Sequence, residues 1–216
     1  MKRGLRQFSR KYWLMVTVLQ IKQMVSQAYF GDAVMTETDY SRGRKLFIAE
    51  GFCANGVVTL TTGAFLSGYA GYLGADDSLN GIIGSIPVLL CTLQMFSSVV
   101  LENLRQKKFL IACFALIHRL LLSSVFFVPL VVEDNAGRLA AVVAIYVVAH
   151  FFGAFIGTGT GSWLLSLVPE NIRGTYLGRK DAFAFAFTTV LSLLCGRILD
   201  WMRGAHQDLL GYYIIG

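Results

Sequence analysis

The chain has 216 residues, 55% of them hydrophobic and 15% charged, and its 22 glycines raise the apolar share to about 65%, against roughly 45–50% in soluble globular domains. With a mean hydropathy of +0.59, this balance excludes an ordinary soluble fold and the disordered and low-complexity classes. The net charge of +6 says nothing about a partner until the basic residues are placed along the chain.

Residues 1–45 open with Lys2, Arg3, Arg6, Arg10 and Lys11, ahead of a short apolar stretch at 12–19. A signal peptide fits poorly, because that stretch runs into Gln20, Lys22 and Gln23. An interfacial amphipathic helix over 12–30, its basic end on anionic headgroups, and an unstructured cytoplasmic leader are the readings left.

Apolar runs then recur at 46–73, 79–101, 109–132, 139–168 and 182–201. Each meets or approaches the roughly 20 residues that a helix needs to cross a bilayer core. A sixth run, 209–216, is only about 12 Å long at 1.5 Å per residue. A chain end inside hydrocarbon is costly, so the sequence is expected to be a piece of a longer protein. The expected fold is all-α, a multi-pass transmembrane helix bundle over residues 46–216.

The basic residues set the expected orientation. With the N-terminus in the cytoplasm, fifteen of the nineteen Lys and Arg fall on inside segments, among them Arg105, Lys107, Lys108, Arg173, Arg179 and Lys180. Outside segments carry Asp76, Asp77, Glu133, Asp134 and Asp208 instead. The positive charge is therefore a topology signal in a cell-membrane protein, and no nucleic-acid partner is expected.

Four cysteines, Cys53, Cys91, Cys113 and Cys195, sit inside apolar runs without a C-x-x-C pair or a histidine at ligand spacing. They read as packing residues, and neither a metal nor a cofactor is expected. Gly153, Gly157 and Gly161 lie four apart, on one face of a helix, where they let a neighbouring helix approach. The string from Gly157 to Ser162 lacks the lysine of a phosphate loop and follows a lipid-length run where a strand is needed, so no nucleotide site is expected.

Ionisable groups inside a membrane are expensive and mark pathways or mutual pairs. The candidates are Glu50 and Asn55 in the first span, Gln94 in the second, His118 and Arg119 in the third and His150 in the fourth. Arg119 lies near mid-membrane and Glu50 about 6 Å inside the first apolar run, within reach of a long arginine side chain. That pair reads equally as a structural tie between spans one and three and as part of a substrate or proton path. For His118 an interhelical hydrogen bond is the simpler role, and Gln94 and Asn55 read most simply as interhelical contacts.

An intramembrane serine protease needs a serine and a histidine on different helices within hydrogen-bond reach. Ser162 has only His118 as a partner, because His150 is twelve residues away on the same span, about 18 Å. With no evident oxyanion hole, catalytic residues are not expected.

Two inside loops carry a recurrent order. After the second span, Glu102 precedes Lys107 and Lys108; after the fourth comes Pro169-Glu170-Asn-Ile-Arg173-Gly174. A carboxylate at one helix end and cations in the next turn can clamp adjacent helices, as a rocking transporter requires. The first loop resembles the signature of the major facilitator superfamily, G-x-x-x-D-R/K-x-G-R/K-R/K, with Ser98, Asn103 and Arg105 as departures. The second is similar to its counterpart in the next triplet of helices. The resemblance runs from about Arg44 to Gly216 and implies the N-terminal six-helix half of a twelve-helix transporter with inverted repeats.

From that resemblance, spans one and four line the cavity, which makes Glu50, Asn55 and His150 its candidates and favours a structural role for Arg119. Glu102, Lys107, Lys108, Glu170, Arg173 and Gly174 become gating-loop candidates. The expected function is secondary active transport of a small solute by alternating access. An ion gradient or the solute's own gradient would drive it, with Glu50 the candidate for proton coupling. The expected partners are the bilayer, the solute, possible coupling ions and a C-terminal half. A six-span scaffold and the protease are the alternative readings.

Overall fold

A computed structural model describes residue 20, residues 36–102, residue 104 and residues 107–216. Apart from residue 20, the helix expected at 12–30 lies outside these, as do the loop residues Asn103 and Arg105. In chain order the helices are α1 (Glu37–Thr61), α2 (Gly63–Tyr72), α3 (Asp77–Cys91), α4 (Gln94–Glu102) and α5 (Lys107–Ser124). A 3₁₀ helix (Val125–Leu130), α6 (Asn135–Leu167), α7 (Glu170–Gly204) and α8 (Asp208–Ile215) follow. No strand occurs among the described residues. Five helical segments are long and apolar enough to cross a membrane: Glu37–Tyr72, Asp77–Leu101, Lys107–Leu130, Asn135–Leu167 and Glu170–Gly204. The all-helical architecture read from the apolar runs is present, with helices that could span a membrane at five of them.

Two of these segments begin well before their apolar runs. α1 starts nine residues ahead of Leu46 because Thr36 and Asp39 form a capping box: the Asp39 N–H donates to Thr36 Oγ1 at 3.4 Å, and the Thr36 N–H donates to the Asp39 carboxylate at 2.9 Å. The boundary drawn at residue 46 thus falls inside a helix. α7 starts at Glu170, directly after Pro169, which cannot continue the preceding helix. Asp76 and Asp134, read as markers of the outer side, also cap helices, accepting the N–H of Leu79 at 2.8 Å and of Gly137 at 2.9 Å.

The first two segments are interrupted. Thr62 is fully extended (φ −132°, ψ 178°) and Gly63 has φ +55°, so α1 stops at Thr61 and α2 restarts at Gly63. The hydroxyls of Thr61 and Thr62 donate to the carbonyls of Val57 and Val58, both at 2.7 Å, competing with the backbone ladder where it ends. In the second segment Pro87 removes a ladder hydrogen bond and the helix breaks at Thr92 and Leu93 before α4 resumes.

α6 is the central post. It packs on α5 most extensively, and on α3, α4 and the 3₁₀ helix, while α7 lies against α1 and α8. The densest packing is at one end of the bundle, where Tyr69, Phe126 and Tyr212 stack around one another and the Tyr69 hydroxyl donates to the Val125 carbonyl at 3.2 Å. The outward faces are apolar, with Met95 78% and Phe185 73% exposed. Water would make such a surface unstable, whereas acyl chains solvate it.

Candidate functional site

Glu50 on α1 and Arg119 on α5 meet. Arg119 Nη2 donates to Glu50 Oε1, and their side chains remain 30% and 43% exposed respectively. Thirteen residues separate Glu50 from the start of α1 and twelve separate Arg119 from the start of α5, about 19 Å and 18 Å along the two axes. Their contact sets Glu50 and Arg119 at one level of the bundle, although Glu50 lies nearer the edge of its apolar run than Arg119 does of its own. The pair lies on an open side of the bundle.

His118, one residue before Arg119, turns the other way. It is 9% exposed, and its Nε2 would lie 3.1 Å from a Cβ on Gly153 of α6, so that glycine makes room for the ring. The His118 and His150 rings meet edge to face at 5.7 Å, and Tyr146 packs on His150 at 4.4 Å. His150 Nε2 is buried and has no hydrogen-bond partner among the described residues. Two imidazoles and a phenol thus fill the α5–α6 seam while the ion pair occupies the α1–α5 seam.

Asn55 stands apart from both, exposed and donating to the Gly51 carbonyl on its own helix at 2.8 Å. Gln94 opens α4 at the break in the second segment and lies against Gly157 of α6. Ser97, which the sequence reading missed, is buried there: its Oγ is 2.6 Å from Thr158 Oγ1 and donates to the Ala154 carbonyl at 3.3 Å. The signal available was a hydroxyl residue beside each packing residue, Ser97 one turn after Gln94 and Thr158 next to Gly157. Of the glycine stripe, Gly153 and Gly157 receive side chains, whereas Gly161 has nothing within 4 Å among the described residues. Gly159, off that stripe, receives Ile111.

At the end where α1 begins, α6 finishes and α7 starts, basic side chains cap carbonyls. Arg173 donates to the Leu165 and Val168 carbonyls at 3.2 and 3.3 Å, Arg44 to the Leu167 carbonyl at 3.4 Å, and the Tyr176 hydroxyl to the Arg44 carbonyl at 2.8 Å. These cations complement the C-terminal dipole of α6. A cleft of about 340 Å³ runs past them, lined also by Glu37, Tyr40 and Glu170. Glu170 is exposed in the first turn of α7, and the carbonyls of α6 take the contacts from Arg173 that the loop sequence assigns to a carboxylate. Gly174 has open space around it, Lys107 and Lys108 open α5, and Glu102 closes α4.

Ser162 donates to the Gly159 carbonyl at 2.9 Å, and His118 packs at Gly153, nine residues or about 14 Å from Ser162 along α6. The two are not brought together. Among the described residues no group of three or more His, Cys, Asp or Glu side chains is arranged to hold a metal ion. Compared with protein-family models, curated proteins and solved structures, the chain matches none.

Proposed function

We propose that this chain is part of a secondary transporter that moves a small solute across the cell membrane by alternating access. The observation that carries the reading is the Glu50–Arg119 pair, charged, deep in two membrane-length helices and open on one side. Hydrocarbon does not tolerate such an opening, whereas a water-lined passage does. The interrupted first and second segments support the same reading, because broken helices are tolerated at membrane depth where they border a cavity. The two inside loops support placing the chain as the N-terminal half of a major-facilitator fold, N-terminus in the cytoplasm. In that placement Asn55 and Gln94 belong to the walls of the passage, His150 stays with His118 in the α5–α6 seam behind it, and Arg44, Arg173 and Tyr176 form a cytoplasmic latch between α1, α6 and α7.

The test is flux. The full-length gene product, reconstituted into proteoliposomes, is expected to accumulate at least one solute of a broad panel faster than protein-free vesicles when an ion or solute gradient is imposed. Flat traces across the panel, with the protein folded, would leave the scaffold reading in its place.

A further inference from the structure

We propose that Arg119 is the anion-binding group of this passage, and that the solute it holds is a monocarboxylate for which Glu50 is the built-in competitor. A guanidinium carries five N–H donors, and among the described residues Glu50 takes one. The two side chains are 30% and 43% exposed, so the pair is open on one side and not enclosed between α1 and α5. That exposure leaves part of the guanidinium open to a ligand, and a guanidinium holds an oxyanion through charge-assisted, bidentate hydrogen bonds.

His118 is turned into the α5–α6 seam against Gly153 and does not share the opening. α5 and α6 contain no Asp or Glu along their lengths, and the other acids of α1, Glu37 and Asp39, are eleven or more residues from Glu50. Lys45 is five residues from Glu50 on α1, and α7, which packs on α1 through Phe187 against Phe52, carries Lys180 paired with Asp181 six or more residues before Phe187, so Arg119 and Glu50 are the attraction and the repulsion in direct contact with each other. Glu50 itself shows which chemistry the guanidinium accepts, a planar carboxylate. A single negative charge can share or replace that contact, whereas a dianion such as a phosphate monoester would leave a further uncompensated charge at membrane depth.

The assignment deepens the transporter reading, but binding can be measured without transport. Full-length protein in nanodiscs is titrated with acetate, lactate and benzoate, each against its own amide, with thermal stabilisation as the readout. At least one carboxylate is expected to raise the melting temperature where its amide does not. Arg119→Gln should abolish that shift, and Glu50→Gln should tighten binding about tenfold by removing the internal competitor. The proposal is overturned if no carboxylate outperforms its amide, if Arg119→Gln binds like the wild type, or if Glu50→Gln binds no more tightly. Should Arg119→Gln fail to fold, the Glu50→Gln result decides. Carboxylate binding that depends on Arg119 without flux in proteoliposomes would sink the transporter and keep the site. Flux of neutral solutes that ignores Arg119→Gln would do the reverse.

Discussion

Arg119 is a costly residue to place in the bundle, since an uncompensated guanidinium at membrane depth carries a penalty of about 3 kcal/mol or more. Its partner is one residue on another helix, so the two should be coupled. Arg119→Ala and Glu50→Ala are each expected to lower stability, and the double variant should recover part of the loss, with a coupling of about 1–3 kcal/mol in a denaturation cycle in detergent. Additive losses would show that the contact contributes nothing. Both residues were legible as candidates because charged side chains in apolar runs are rare. Their meeting required the rotation of α1 against α5, which no local pattern encodes. The Ser97–Thr158 contact is the opposite case: hydroxyl residues are too common in helices for either to announce itself.

Helices in this chain are long because little interrupts them, and each interruption has a residue-level cause. At the first break Gly63 adopts φ +55°, where a Cβ is strained although nothing crowds it. Gly63→Ala should therefore destabilise by about 1–2 kcal/mol or straighten the segment, which circular dichroism would register as gained helix. On α6 the glycines divide by what faces them. A side chain at Gly159 runs into Ile111, whereas Gly161 has open space. Gly159→Val should cost about 1–3 kcal/mol and Gly161→Val much less, a contrast readable from paired thermal melts. The four-residue spacing located this helix as a packing post, but it singled out Gly161, which receives no neighbour, and passed over Gly159. Spacing gives a face only relative to an ideal helix, and the identity of the neighbour decides which small residue is needed.

For the molecule as a whole, the large exposed apolar faces and five helical segments long and apolar enough to cross a membrane suit a bundle with lipid around its waist and water at its ends. If the basic ends face the cytoplasm, single cysteines replacing Asp76 and Lys107, in a background with the four native cysteines changed to serine, should react with an impermeant thiol reagent from opposite sides of the membrane. Labelling of both from the same side would refute the orientation. The latch at the basic end belongs to this scale too. Arg44 and Arg173 join three helices through carbonyls and not through the expected carboxylate, because the end of α6 leaves carbonyls without helical partners and the guanidinium groups are the donors within reach.

By itself the amino-acid sequence determined the class of the protein: lipid-length apolar runs, their number, the polar loops between them and the few ionisable residues that lipid would reject. Those are one-dimensional properties, set by hydropathy over some twenty residues and by the cost of charge in hydrocarbon. Only the tertiary structure decided that Glu50 meets Arg119, that His118 and His150 close the other seam, that Ser97 and Thr158 join α4 to α6, and that Thr62 and Leu93 break their spans. In a uniformly apolar helix every face buries about equally well, so the pattern that tells a soluble helix which side is inside is weak. The choice of partner then falls to shape and to a few polar contacts, which exist only once the helices are side by side.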